Sequence, residues 1–365
     1  MTPPAPEPVP PEDELPASGS VPWVRVVVSF VLGAVIIAAV YWYIRQNSAE
    51  YEQGLAEILQ VPTGWIIALV VTCLLNILVY PFTVLVAVPG LRYRQGFVER
   101  QAGFLVSNTI PGGGAIAVGT QYSILNRYRV PPMLSVAAVS ADAVWTYLLT
   151  LGMPALGVAL LVLEGRRNAQ LTTLAIIGAV GFLASVVIIA LILRSRESAE
   201  RVGRVGQRLG NWLWGLVKRV PPDVTDAVLR FYDTAHDLVT RKWLALTITN
   251  VAAQATPFVI LVVALAGIGA LPERLTLIEV FAAYSAAILL TSFPLTPGGL
   301  GTVDAALIAL LVAFGATGSE AAAADVIWRL VWFLPQLIVG AVAFLIYLVA
   351  KRRDPDEPAA TAATG

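Results

Sequence analysis

Apolar residues in this chain come in blocks of about 20 or more, the length a helix needs to cross a bilayer core about 30 Å thick. No other feature limits the fold as tightly. Backbone in hydrocarbon must satisfy its own hydrogen bonds, and a helix does so within one segment. Hydrophobic residues make up 57% and charged residues only 13%. The pattern predicts an all-α polytopic integral membrane protein with about eight membrane helices, some of them broken or re-entrant at Gly-rich segments.

Composition removes several function classes. Lys and Arg number 24 and Asp and Glu 24, so no basic surface calls for nucleic acid. Cys73 is the one cysteine and His236 the one histidine. A metal site or a Ser-His site thus has almost no raw material. Cys73 reads as a small buried hydrophobe and His236 as an interfacial residue. No G-x-x-x-x-G-K-[ST] string is present. No cofactor, no metal and no catalytic constellation are expected.

Along the chain, residues 1–22 are Pro-rich and acidic and lack the basic start of a signal peptide, which predicts a disordered tail. An N-terminal membrane half is expected over 23–193. Its apolar blocks lie near Trp23–Ile44, Gly64–Val88, Gly103–Leu125, Met133–Leu163 and Leu171–Leu193, with Gly152 and Pro154 interrupting the fourth. Residues 194–242 are the long polar stretch. There Val202, Val205, Leu209, Trp212 and Leu216 form one apolar stripe, with Arg201, Arg204 and Arg208 off it. A basic amphipathic helix of this kind lies in a membrane interface. After Pro221 and Pro222 a second amphipathic helix is expected, with Val224, Val228, Phe231, Ala235 and Leu238 on one face. The C-terminal half, 243–350, holds blocks near Trp243–Ile268, Leu277–Leu295, Thr302–Phe314 and Ala322–Ala350, and 351–365 is a polar tail. The Thr302 block suits a half-helix or a re-entrant segment.

Lys and Arg beside the blocks set orientation. Arg92, Arg94, Arg100, Arg127, Arg129, Arg194, Arg196 and Lys351–Arg353 go to the cytoplasm, with Arg166 and Arg167 as the exception. Both flanks of Gly103–Leu125 are then cytoplasmic, which predicts a re-entrant element in a multi-pass plasma-membrane protein with both termini cytoplasmic.

Two breaks match. Asn108-Thr-Ile-Pro111-Gly112-Gly113-Gly114 and Leu295-Thr-Pro297-Gly298-Gly299-Leu300-Gly301 each place Pro-Gly-Gly between apolar stretches. Paired breaks in two halves of a membrane protein point to an inverted-repeat transporter. Glycines allow tight turns, and a half-helix starting after them aims free N–H groups and a positive dipole end into a cavity. Gly112–Gly114 and Gly298–Gly301 are the candidate donors for an anionic headgroup. The bland alternative is that these glycines only let helices pack closely. Asp142, Asp304, Asp325 and Arg329 lie inside apolar blocks. Buried charges in a bilayer are paired or functional, so Asp304–Arg329 or Asp142–Arg329 is an expected pair, structural or part of transport. Asn76, Asn250 and Gln254 read as helix–helix hydrogen bonds.

The string Pro297-Gly-Gly-Leu-Gly-Thr-Val-Asp304-Ala-Ala-Leu, close before a final long helix, resembles the signature of the lysylphosphatidylglycerol synthase/flippase transmembrane family. Asn108–Gly114 sits where that family carries its first loop. The resemblance covers about residues 24–350 and implies an eight-or-so-helix domain that translocates or handles lipid in the plasma membrane. Two departures stand out. The family's first loop often carries Gly-Glu and a following Arg, whereas Gly114–Val118 here is uncharged. The common Glu of the second motif is Asp304. The large soluble domain of the aminoacyl-transferring members has no counterpart in the residues given, so synthase activity is not expected.

The resulting expectation is a lipid flippase or transporter for an anionic phospholipid or a polyprenyl-linked lipid. Its substrate-binding residues would be Asn108, Pro111, Gly112, Gly113, Gly114, Pro297, Gly298, Gly299, Gly301, Asp304, Arg329 and Asp142. The alternative is a non-catalytic scaffold subunit for envelope lipid or glycan synthesis, docking a cytoplasmic partner at 194–242. A homo-oligomer stays open.

Overall fold

The computed structural model describes residues 48–110, 113–165, 169–216, 223–292 and 296–353, and every regular element among them is helical. The first apolar block, Trp23–Ile44, lies outside the described residues. The helices are α1 (Ser48–Leu59), α2 (Thr63–Val79), α3 (Phe82–Ala87), α4 (Tyr93–Thr109), α5 (Gly113–Arg127), α6 (Pro132–Leu163) and α7 (Ala169–Arg194). They continue as α8 (Arg196–Leu216), α9 (Val224–Gly267), α10 (Leu277–Leu289), α11 (Thr302–Phe314), α12 (Gly318–Trp328) and α13 (Leu334–Arg353). Short 3₁₀ turns occupy Leu290–Ser292 and Pro297–Gly299, and a π turn, Arg329–Phe333, joins α12 to α13.

Among the described residues, five helical stretches are long and apolar enough to cross a membrane: 63–87, 132–163, 224–267, 297–314 and 318–350. Shorter apolar helices cover 180–194 and 277–292. Trp65, Ile66, Val70, Leu74 and Leu78 on α2, with Ile338, Val342, Leu345 and Val349 on α13, remain exposed. In water such faces would drive aggregation, whereas lipid tails solvate them.

Local chemistry sets the helix ends. Thr276 and Glu279 close a reciprocal cap at the start of α10, and Thr317 and Glu320 do the same for α12. Asp223 caps α9 through the Asp226 amide. Pro257 removes one backbone donor inside α9, and the Thr256 hydroxyl, 3.1 Å from the Ala253 carbonyl, answers the freed acceptor.

Several expected boundaries move. The polar stretch before Gly103 is helix, not loop: α4 starts at Tyr93 and carries Glu99, Arg100 and Gln101 into the interior. Arg100, expected in a cytoplasmic loop, is only 6% exposed. The α4–α5 pair is an antiparallel hairpin. Gly113 sits against the Val106 and Ser107 carbonyls, and Gly103 lies opposite Gln121. The first contact needs glycine, because a β-carbon at 113 would stand 2.4 Å from the Val106 oxygen. Gly152 and Pro154 do not stop α6, and Gly152 leaves room for the Phe182 ring of α7. The second amphipathic helix and the block after it are one 44-residue helix, α9, so the expected boundary at 242/243 falls inside it. An apolar face that leaves the polar segment runs straight on into the membrane stretch, with no glycine or proline between Val224 and Thr256 to end the helix.

Three cores hold the helices. The largest joins α2, α9, α10, α11 and α12 around Tyr284 and Trp328. A second joins α3, α5, α6 and α9 around Leu125, Trp145 and Leu246. A small one, Val98, Ala102, Ile124 and Tyr347, binds the hairpin to α13. Gly340 lets α13 close on the Gln101 carbonyl.

Candidate functional site

The end of α4 meets the second glycine break. Gly298, at φ +60°, is placed so that a β-carbon there would lie 3.4 Å from the Asn108 carbonyl oxygen and 2.4 Å from Phe333 Cζ. The C-terminal end of α4 thus rests on the Pro297–Gly299 turn. Asn108 turns its side chain back to its own helix, donating to the Phe104 carbonyl at 2.8 Å. Gly113 is buried at the start of α5, and Gly114 is exposed. Pro111 and Gly112 lie outside the described residues.

Arg329 organises the second break. Its Nε donates to Asp304, and its Nη1 and Nη2 donate to the Gly298 and Gly299 carbonyls at 3.2 and 3.4 Å. Its guanidinium carbon stands 4.9 Å from the Trp328 ring centre and 5.2 Å from that of Phe333. A π turn begins at this residue; such wide turns re-aim side chains and recur at functional sites. Asp304 also accepts from the Gly301 amide, one turn back at the start of α11. Asp325, 6% exposed, faces both Asp304 and Arg329. Two carboxylates therefore flank one guanidinium.

This changes the expected donor role of Gly298–Gly301. The Gly299 and Leu300 amides turn back to the Thr296 and Pro297 carbonyls, and the Gly301 amide goes to Asp304. The break offers carbonyls to Arg329, and the cation itself is the group suited to an anion. Positive φ at Gly298, Gly299 and Gly301 makes the turn possible.

The structure chooses Asp304 as the partner of Arg329. Asp142 is elsewhere, paired with Arg100 at 2.8 Å. Sequence reasoning passed over Arg100 because it follows two exposed arginines, Arg92 and Arg94. The available signal was the buried face of α4: Gly96, Arg100 and Gly103 recur at steps of four and three. Rings connect the two charged groups. Arg100 lies 4.5 Å over Tyr80, Tyr80 meets Phe104, and Phe104 meets both Trp332 and Phe333 beside Arg329.

The polar residues divide. Asn76 donates to Gln336 of α13 at 3.1 Å and accepts from Thr256 of α9 at 2.9 Å, bridging three helices. Asn250 instead donates to the Leu246 carbonyl of its own helix. Gln254 enters through its backbone oxygen, 3.5 Å from the Tyr284 hydroxyl. His236 packs against the Tyr232 ring at 4.7 Å. Among the described residues no group of three metal-ligating side chains converges.

Apolar spans, lipid-facing surfaces and buried ion pairs define a multi-pass helical membrane protein. Residues 18–340 match the lysylphosphatidylglycerol synthase TM region, and the chain belongs to that family. It is also 29% identical over 181 residues to a UPF0104 membrane protein of Methanothermobacter thermautotrophicus, a match covering 47% of this chain and 53% of that protein. The chain thus matches about half the length of that curated relative.

Proposed function

We propose that the protein moves a lipid with an anionic headgroup, a phospholipid or a polyprenyl-linked lipid, across the plasma membrane. Arg329 carries this reading. A guanidinium inside an apolar span is expensive and marks a substrate path more often than a packing contact. It sits at the second glycine break, where the end of α4 rests, and three of its five donors fix it in place. A phosphate oxygen accepts charge-assisted hydrogen bonds from a guanidinium as a carboxylate oxygen does, so it can exchange with Asp304, which Arg329 holds through Nε. The Trp328, Trp332 and Phe333 rings keep the exchanged cation desolvated. The α4–α5 hairpin acts as a re-entrant element, and the two breaks act as counterparts in an inverted repeat. Both termini lie in the cytoplasm.

The test is fluorescent-lipid movement in proteoliposomes with lipids of several headgroups. Headgroup-dependent movement should fall at least about tenfold in Arg329→Gln, the loss of one charge-assisted contact. Movement unchanged in that variant would sink the reading.

A scaffold role for a cytoplasmic partner is the second reading. Val205, Leu209 and Trp212 on α8 are each more than half exposed and favour it. Capture of a partner that needs 196–242 while lipid movement is spared would establish it.

A further inference from the structure

Glu99 is the most deeply buried acid in the described structure that no cap, ion pair or headgroup site uses. It is 0% exposed, and neither carboxylate oxygen has a hydrogen-bond partner. Its surroundings come from four places in the fold. Arg100 is its neighbour on α4 and is committed through Nη1 to Asp142 of α6 at 2.8 Å. Asp142 has its second oxygen, Oδ1, buried and unpartnered. Gln121 of α5 is the neutral polar side chain that faces it. Tyr80, at the end of α2, covers the guanidinium with its ring. The other helices packed here bring apolar contacts: α3 puts Val84 and Leu85 against Gly96, and α13 puts Gly340 against Gln101.

Charge accounting leaves one cation missing. Two carboxylates share one guanidinium, so the ionised cluster would hold a net negative charge in a site closed to bulk solvent. Buried charges left unbalanced are strongly disfavoured in protein and lipid alike. A sodium ion would need several converging oxygens, and the groups here supply two carboxylates and a tyrosine covered by a cation. A proton needs one oxygen only. We propose that Glu99 is a reversible proton-carrying site, loaded as RCOO⁻ + H⁺ → RCOOH while the α4–α5 hairpin is closed on α6. Movement of the hairpin opens the site and returns the proton to one side. The helix that carries Glu99, α4, also places the Asn108 carbonyl against Gly298 of the second glycine break, so loading at Glu99 and the Arg329 site share one helix. The coupling of this proton to lipid movement rests on the transport reading above; the proton site itself does not.

The proton site is tested on the purified full chain in nanodiscs by pH-difference infrared spectroscopy. A protonated-carboxyl C=O band is expected in the wild type, lost in Glu99→Gln, shifted in Glu99→Asp, and kept in Asp304→Asn and Asp325→Asn. Thermal melts check that each variant is folded. A band left unchanged by Glu99→Gln, or lost only with Asp325→Asn, overturns the assignment. Sodium-22 binding that depends on Glu99 also overturns it and makes the site a sodium site. Coupling is tested in proteoliposomes under an imposed pH gradient. Wild-type lipid movement should follow the gradient, and Glu99→Gln should keep gradient-independent movement. A carboxyl band with no lipid movement in any chain would remove the transport reading and leave the proton site standing. Gradient-driven movement that persists in Glu99→Gln would remove the coupling.

Discussion

Arg100 Nη1 stands 2.8 Å from Asp142 Oδ2, a buried contact between α4 and α6 that joins the glycine-broken hairpin to a full membrane span. Removing one partner of such a pair leaves the other charge uncompensated. Arg100→Ala should cost about 3–5 kcal/mol, and Arg100→Met with Asp142→Leu should cost much less than the sum of the single changes. Unfolding of the detergent-solubilised protein, followed by far-UV circular dichroism, reads both. Additive losses would show that the two side chains do not act as a pair.

Gly298 should tolerate no side chain. Its positive φ disfavours L residues, and a β-carbon would strike the Phe333 ring. Strain and overpacking together amount to about 2–4 kcal/mol for Gly298→Ala. Shortening the obstacle with Phe333→Leu should recover part of the loss, because only the clash is relieved. Thermal melting of the single and double variants checks this.

The Asn76 bridge to Gln336 and Thr256 holds α2, α13 and α9 with groups that lipid cannot replace. Asn76→Leu should cost about 1–2 kcal/mol. Gln336→Leu in the same chain should add little, since both changes break one network. A melt of the double variant far below either single would contradict the shared network.

The α8 stripe should sit in lipid headgroups, with its arginines turned to water. A dye on Leu209→Cys, in a Cys73→Ala background, should be quenched by brominated lipid in nanodiscs. The same dye on Arg201→Cys should not, because Arg201 pairs with Glu197 on an exposed flank of the helix. Each buried leucine contributes about 1.5–3 kcal/mol to such seating. Equal quenching at both positions would show that the stripe does not define the seated face.

Some of this was readable before any coordinates. Blocks of apolar residues gave the class, because bilayer thickness maps directly onto residue count. Proline and glycine marked the breaks at 108–114 and 297–301, because only those residue types suit such turns. Asp304 and Arg329 were singled out by their cost inside an apolar span, and they do pair.

Other features needed the fold. What the polar half of α9 packs against is one. Lys242 Nζ donates to the Val86 carbonyl, closing the end of α3 with a cation. Arg92, Arg94 and Arg100 look alike in a charge count, yet two are exposed and one is buried, because only the last lies opposite Asp142. Likewise the amides after Pro297 were expected to be free, whereas those of Gly299, Leu300 and Gly301 are used within the turn, which presents carbonyls to Arg329.

The sequence alone determined that this chain lives in a membrane as helices and where its backbone must break, since both follow from local length, hydrophobicity and steric freedom. Only the tertiary structure decided which charges share a site. Ion pairs at Arg100–Asp142 and Arg329–Asp304 join residues 42 and 25 positions apart, and the choice between partners is made by helix packing, which local composition does not encode.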